Sequence, residues 1–400
     1  MVQFEIFVLL LLYSLLFSCS QLLIILAMPL ATCHFLDFKL FQIIAKSAFV
    51  QCPPTSYHEE RCIDTHHYQP SVWWDGSPIC DDQTLSPPPL YIGWQWPEHC
   101  CPYYRTAFKK YAKTFTEGHG TVYRPLYEAL RDSFLKPSTS PEEENDNGIA
   151  ERDDSSLPSS HPFYRMIPSF FHTLVKLQEM NIDYTLVLRT FGTDLGDIAF
   201  AIRDFANGKH PLYPSFREPK LLVHEGNMYQ GRYRVGNVNG DGDDSINGSG
   251  NGQSLTDSSI YDLFDWNDSL KMVASGDDEL LKIIESQSIC GIQDDYKYWS
   301  SNNCVPSCGK PVWIHPQDED VRVSYHHIFF DDNIHNDADD SIVAVRSRDA
   351  ATHNWQSLSG EKTIEQQGKS VVRVPTVAAI LQKDWYLQQI AMAEANLHGY

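Results

Sequence analysis

Residues from about 163 to 400 predict an α/β domain whose sheet is mainly parallel and carries helices on both faces. Three observations carry this. Apolar runs such as residues 184–188 (YTLVL) are continuous, as in strands buried on both sides. They alternate with stretches in which apolar residues recur at helical spacing. Two runs end in polar groups, Arg189-Thr190 and Asp331-Asp332, and in parallel sheets ligands gather at the carboxyl ends of strands.

Taken in order, residues 167–180 (IPSFFHTLVKLQEM) predict a helix with Pro168 in its first turn. Residues 184–188 are a strand. Phe191-Gly192-Thr193 turns the chain, and Thr193 or Asp194 caps a helix running to about Phe205. Residues 220–224 and 229–235 read as strands, and helical patterns centre near Ile260 and Glu279. Residues 311–314, 324–330, 341–345 and 370–374 are apolar and rich in β-branched or aromatic residues, as strands are. Residues 376–397 form a long terminal helix. Together these elements imply a Rossmann-like layered architecture.

The flanking segments differ in character. Residues 4–30 form an apolar run with one acid, Glu5, and no Lys or Arg. That length can span a bilayer or serve as a secretory signal, so residues 1–30 are expected to be a signal or transmembrane anchor. The protein is then secretory or membrane-anchored, touching a membrane only there, and otherwise cytoplasmic. Residues 31–135 are Cys- and aromatic-rich, with helical patterns from Tyr103 and Tyr123, and are expected to join or cap the main domain. Residues 136–160 are charged and Pro-containing, which predicts a disordered linker before the core at 161–400. A polar tract at 236–259 predicts a disordered insertion in that core; its Asn237–Asp243 echo of a calcium loop has Gly248 where the twelfth-position acid belongs. In a secreted chain, disulfides are expected in both Cys clusters, 52–101 and 290–308. The net charge of −21 argues against nucleic acid, whose phosphates need Lys and Arg.

Three places can carry chemistry. Thr190, with the free N–H groups around Gly192 and a following helix, suits a phosphate; the plainer reading is a capped turn. Asp331 and Asp332 in FFDDN are costly at a buried strand end unless a cation or hydrogen bonds offset them. Hard carboxylate oxygens suit Mg2+; the alternative is a solvated acidic loop, since Asp337, Asp339 and Asp340 follow. Lys310, in CGKPVWI, can neutralise a phosphoryl group or those carboxylates, or can simply be a surface lysine.

The order Thr190, Lys310, Asp331-Asp332 resembles the haloacid-dehalogenase-like (HAD-like) superfamily. More narrowly, IPSFFHTLVKLQEMNIDYTLVLRTFGTDL and HHIFFDDNI resemble a divergent group of that type in eukaryotes and bacteria. The resemblance implies that Thr190 and Gly192 hold a phosphoryl group, Lys310 stabilises its charge, and Asp331 and Asp332 place Mg2+. The reaction implied is hydrolysis of a phosphorylated small molecule or protein through an aspartyl intermediate. The family's first motif, a strand ending in Asp-x-Asp or a close variant, is not found. The nucleophile candidates are Asp37 in HFLDFKLF, where Lys39 stands in place of a second acid, and Asp75 in SVWWDGSP. The expectation is therefore a phosphatase-like protein with uncertain or lost Mg2+-dependent activity. The alternatives are a non-catalytic phosphate- or anion-binding relative, and a membrane-anchored glycosyltransferase with an acidic metal motif.

Overall fold

A computed structural model of the chain describes residues 21–26, 36–51, 70–80, 86–91, 97–103, 115–134, 166–235, 259–314, 325–334, 342–349, 352–358 and 361–398. Along the chain the elements are β1 (Gln21–Leu26), α1 (Leu36–Ser47), β2 (Phe49–Gln51), β3 (Cys100–Pro102), α2 (Arg124–Phe134), α3 (Pro168–Glu179), β4 (Tyr184–Thr190) and α4 (Leu195–Ala206). Then come β5 (Met228–Val235), β6 (Ser259–Asp265), β7 (Met272–Ser275), α5 (Asp277–Glu285), β8 (Ile289–Gln293), α6 (Tyr296–Ser301) and β9 (Lys310–Ile314). The last are β10 (Tyr325–Asp331), β11 (Val343–Arg348), β12 (Trp355–Ser357), α7 (Glu361–Ile364), β13 (Val371–Arg373), α8 (Thr376–Leu381) and α9 (Trp385–His398).

The fold is mixed α/β. Its largest sheet has eight strands in the order β13-β10-β1-β4-β8-β5-β6-β7. Neighbours from β13 to β5 pair parallel, while β5–β6 and β6–β7 pair antiparallel, so the sheet is mixed. A second sheet, β12-β11-β9, and a small β2–β3 ribbon complete the strands.

Period-two alternation assigns the two faces of the large sheet. Tyr184, Leu186 and Leu188 of β4, with Ile328 and Phe330 of β10, enter one core with α1, α2, α3, α4, α8 and α9. Val187 and Phe329 point the other way, into a core with α5, Trp313 of β9 and Val343 and Val345 of β11. The second face is therefore covered by one helix and a small sheet, where helices alone were expected. The paired histidines of β10 follow the same rule. His326 meets Glu394 of α9 and His327 approaches Glu285 of α5, on opposite faces.

β1 comes from the apolar run expected as a signal or anchor. Leu26 pairs with Phe330 on one side and Leu188 on the other, at the middle of the sheet. Among the described residues, no helix is long and apolar enough to cross a membrane. Residues 36–134 contribute to the first core directly, through Leu40, Ile44, Leu130 and Phe134 and an aromatic group around Trp73, whose ring meets Tyr123 edge-on at 5.5 Å. The linker at 136–160, the calcium-like stretch and most of the expected insertion lie outside the described residues; Ser259, its expected last residue, begins β6.

Three local expectations change. Residues 220–224 are not a strand: Pro219 starts a 3-10 turn that buries Leu221, and Pro has no N–H to give a ladder. The segment near Ile260 is β6, not a helix, because Tyr261 and Leu263 are drawn into the core by pairing with β5. The terminal helix is two, α8 and α9.

Candidate functional site

The turn after β4 folds around Thr190, which is fully buried. Its Oγ1 accepts from the Gly192 N–H at 2.8 Å and donates to Asp194 Oδ1 at 2.8 Å. Asp194 therefore reaches back to Thr190 and makes no side-chain cap on α4, contrary to the capping expectation. A Cβ at Gly192 would stand 2.7 Å from that Asp194 oxygen, so a larger residue would push the Asp194 carboxylate aside. The hydroxyl has one proton, and it is spent on Asp194. A bound phosphate oxygen can take it only in exchange for that contact.

The first residue of β9 meets the last residue of β10. Lys310 Nζ donates to Asp331 Oδ2 at 2.9 Å, with both side chains almost wholly buried. Asp331 Oδ1 accepts from the Asn333 N–H at 2.8 Å. The Lys310 ammonium also lies 4.8 Å from the ring centre of Phe191, the residue after Thr190. Thr190, Lys310 and Asp331 are thus brought into one neighbourhood, with the Phe191 ring between the turn and the ion pair.

Asp332 is half-buried. Its Oδ1 accepts from Asn333 Nδ2 at 2.9 Å and its Oδ2 lies 3.5 Å from Lys46 Nζ at the end of α1. Arg373 stands opposite Asp331 on β13. Burial pulls the Arg373 guanidinium down, and Asp332 opposes that shift. At Asp331, burial pushes the carboxyl up, to about 6, against the pull of Lys310 and with the push of Asp332. The 2.9 Å contact with the Lys310 ammonium favours the ionised form.

The cation that offsets the paired acids is therefore supplied by the protein. Two carboxylates face three cationic side chains, Lys46, Lys310 and Arg373. Mg2+ wants about six oxygens in near-octahedral array, and this pair gives few of them. No group of three His, Cys, Asp or Glu residues fit to hold a metal ion occurs among the described residues. Mg2+ commonly keeps several waters and takes one or two carboxylates, so Asp331 and Asp332 offer donors of the right kind, engaged here by Lys310, Lys46 and Asn333.

The nucleophile candidates sit elsewhere. Asp37 is the second residue of α1. Asp75 is exposed in a turn before Gly76, and its Oδ1 accepts from the Ser77 N–H and hydroxyl at 3.0 and 2.6 Å. Of the cysteines, Cys101 is disulfide-bonded, whereas Cys290, Cys304 and Cys308 are free thiols, so the second expected disulfide cluster does not form.

Sequence reasoning missed Lys46 and Arg373, whose partners lie on other elements, and it took Arg189 only as the polar end of a run, with no role. That side chain is buried against Asp294 and Tyr261, and its Nη1 donates to the Pro311 carbonyl at 2.6 Å. It ties the residue before Thr190 to the residue after Lys310. A charged residue closing the run YTLVLR was the available signal. No family model matches the chain, and neither curated proteins nor solved structures yield a significant match.

Proposed function

We propose that the chain is a HAD-like protein, with a Rossmann-like parallel core from β13 to β8, that binds a phosphate-bearing ligand without hydrolysing it. One observation supports this above the others. β1 lies between β10 and β4, where the resemblance expects the strand that delivers the aspartyl nucleophile. Leu26 ends that strand level with Phe330 and Leu188, and the residues that follow in sequence are Ala27, Met28 and Pro29. None can form an acyl phosphate. Thr190, Gly192, Lys310 and the Asp331-Asp332 pair retain the phosphate-facing half.

The test is purified protein with Mg2+ and an aryl phosphate, alongside calorimetry with inorganic phosphate. The expected result is no turnover above the buffer blank, with phosphate binding that Lys310→Met removes and Thr190→Val weakens. Turnover that disappears in Asp331→Asn would establish a phosphohydrolase and overturn the non-catalytic reading. Wild-type protein that binds no phosphate would remove the anion site itself.

A further inference from the structure

A cavity of about 710 Å³, a size typical of small-molecule sites, opens at the end of β8. Gln293 of β8, Gln230 and Arg232 of β5, and Tyr296 and Lys297 of α6 line it, together with Phe191. Thr190 and Lys310 take no part in that lining, so the cavity stands apart from the site proposed above.

The charge in this cavity is not balanced. Arg232 donates to the Ser269 carbonyl at 3.1 Å and to Gln230 Oε1 at 2.8 Å, and its guanidinium lies 4.9 Å from the ring centre of Phe264. These contacts fix the group without neutralising it, and they engage two of its five N–H groups. Neither Arg232 nor the exposed Lys297 meets a carboxylate among the described residues. The acids of the lining have other partners. Asp294 pairs with Arg189, and Asp295 accepts from the Tyr298 and Tyr233 N–H groups at 2.9 and 3.3 Å. Two cations therefore stand against the single charge of Asp295, and one positive charge is left over.

The remaining wall is aromatic. Phe191 stacks on Trp299 with centroids 5.1 Å apart and rings 19° from parallel, and Tyr296 meets Phe191 edge-on at 5.8 Å. Tyr296 is still 51% exposed, so part of its ring is open to a guest. One surplus positive charge favours a monoanion. A guanidinium already held in place favours a planar group with two oxygens, which its fork can meet. The aromatic wall favours a ring beside that group. We infer that this cavity binds a small aromatic carboxylate, with its carboxylate on Arg232 and Lys297 and its ring on Tyr296. The inference needs neither Mg2+ nor the phosphate site at Thr190.

The experiment is calorimetry on the full chain with phenylacetate, phenylacetamide and cyclohexylacetate, for wild type, Arg232→Gln, Lys297→Gln and Tyr296→Ala. Tyr296 and Lys297 lie in a short helix with no buried residues, so their loss leaves the core intact. Phenylacetate is expected to bind about tenfold more tightly than its uncharged amide, the low end of a charge-assisted hydrogen bond. It is expected to bind about threefold more tightly than cyclohexylacetate, an ordinary aromatic contact. Arg232→Gln and Lys297→Gln are each expected to shrink the first preference, and Tyr296→Ala to erase the second. Excess inorganic phosphate is expected to leave phenylacetate binding unchanged. The inference would be overturned by no saturable binding of phenylacetate, by an amide that binds as tightly as the acid, or by a preference for the acid that survives both Arg232→Gln and Lys297→Gln. Cyclohexylacetate binding as tightly as phenylacetate would overturn the aromatic assignment. Displacement by phosphate would overturn the separate cavity, because one site would then take both anions.

Discussion

Two buried ion pairs close strands of the central sheet, and they are built differently. Arg189 and Asp294 have side-chain exposures of 0% and 1%, and Lys310 and Asp331 have 3% and 0%. By burial alone they are equivalents. Arg189 presents a planar fork: Nε and Nη2 take the two Asp294 oxygens, Nη1 takes the Pro311 carbonyl, and the Tyr261 hydroxyl donates to Asp294 at 2.5 Å. Burial pulls that guanidinium down, but Asp294 and Tyr261 outweigh it and hold it above the usual range. Lys310 is a point charge with a second carboxylate beside its partner, and burial leaves the Asp331 carboxyl raised to about 6. One pair is saturated by the fold. The other is balanced closely enough for an incoming charge to change it.

The sharpest way to break this contrast is to remove each cation. Arg189→Met strands a buried carboxylate and is expected to cost about 3–5 kcal/mol in urea unfolding near pH 7, because Asp294 loses both hydrogen bonds from the guanidinium. Lys310→Met is expected to cost less, about 2 kcal/mol near pH 7, because Asp331 can take up a proton. The sign follows from the raised folded-state pKa. In the wild type the Asp331 carboxyl contributes fully below its ordinary value of 3.8, and that contribution is lost as pH rises toward about 6. Without Lys310 the window of loss extends above 6, at up to about 1.4 kcal/mol per pH unit. Equal costs for the two variants at pH 7 would make both pairs scaffold.

Smaller changes probe the neighbours of each pair. A Cβ on Gly231 would fall 1.7 Å from the Tyr261 hydroxyl oxygen. Gly231→Ala is expected to cost about 1–2 kcal/mol by displacing that hydroxyl from Asp294, measured by thermal unfolding, and to leave phosphate affinity unchanged. Gly192→Ala presses on the Asp194 carboxylate at the exposed turn. It is expected to cost under about 1 kcal/mol of stability, yet to weaken phosphate binding measurably in calorimetry. If Gly231→Ala reduced phosphate affinity more than Gly192→Ala, the roles given to the two pairs would be reversed.

What was legible in the sequence was local. β4 and β10 announce themselves as apolar runs with polar ends, and Gly192 and Pro168 mark a turn and a helix start. What was not legible depends on distant partners. The apolar segment around β1 has the length of a membrane span, and only β10 and β4 give its residues a ladder. Residues near Ile260 carry enough helical spacing to mislead, until β5 supplies the pairing that makes them a strand. The charge balance of the site was hidden for the same reason. Lys46 meets Asn333 across 287 residues, and no spacing in either segment points to the other. The cationic groups that face Asp331 and Asp332 come from α1, β9 and β13, which no spacing around FFDDN reveals.

The central position of β1 also bears on how the chain is made. During synthesis its two neighbours are not available together until β10 emerges about 300 residues later, roughly 15–60 s at ordinary elongation rates. For that interval the five apolar residues of β1, Leu22 to Leu26, have at most one flank to pair with. The middle of the sheet is therefore among the last parts to close, which makes this strand the natural point of capture for chaperones and the first place where hurried folding would aggregate.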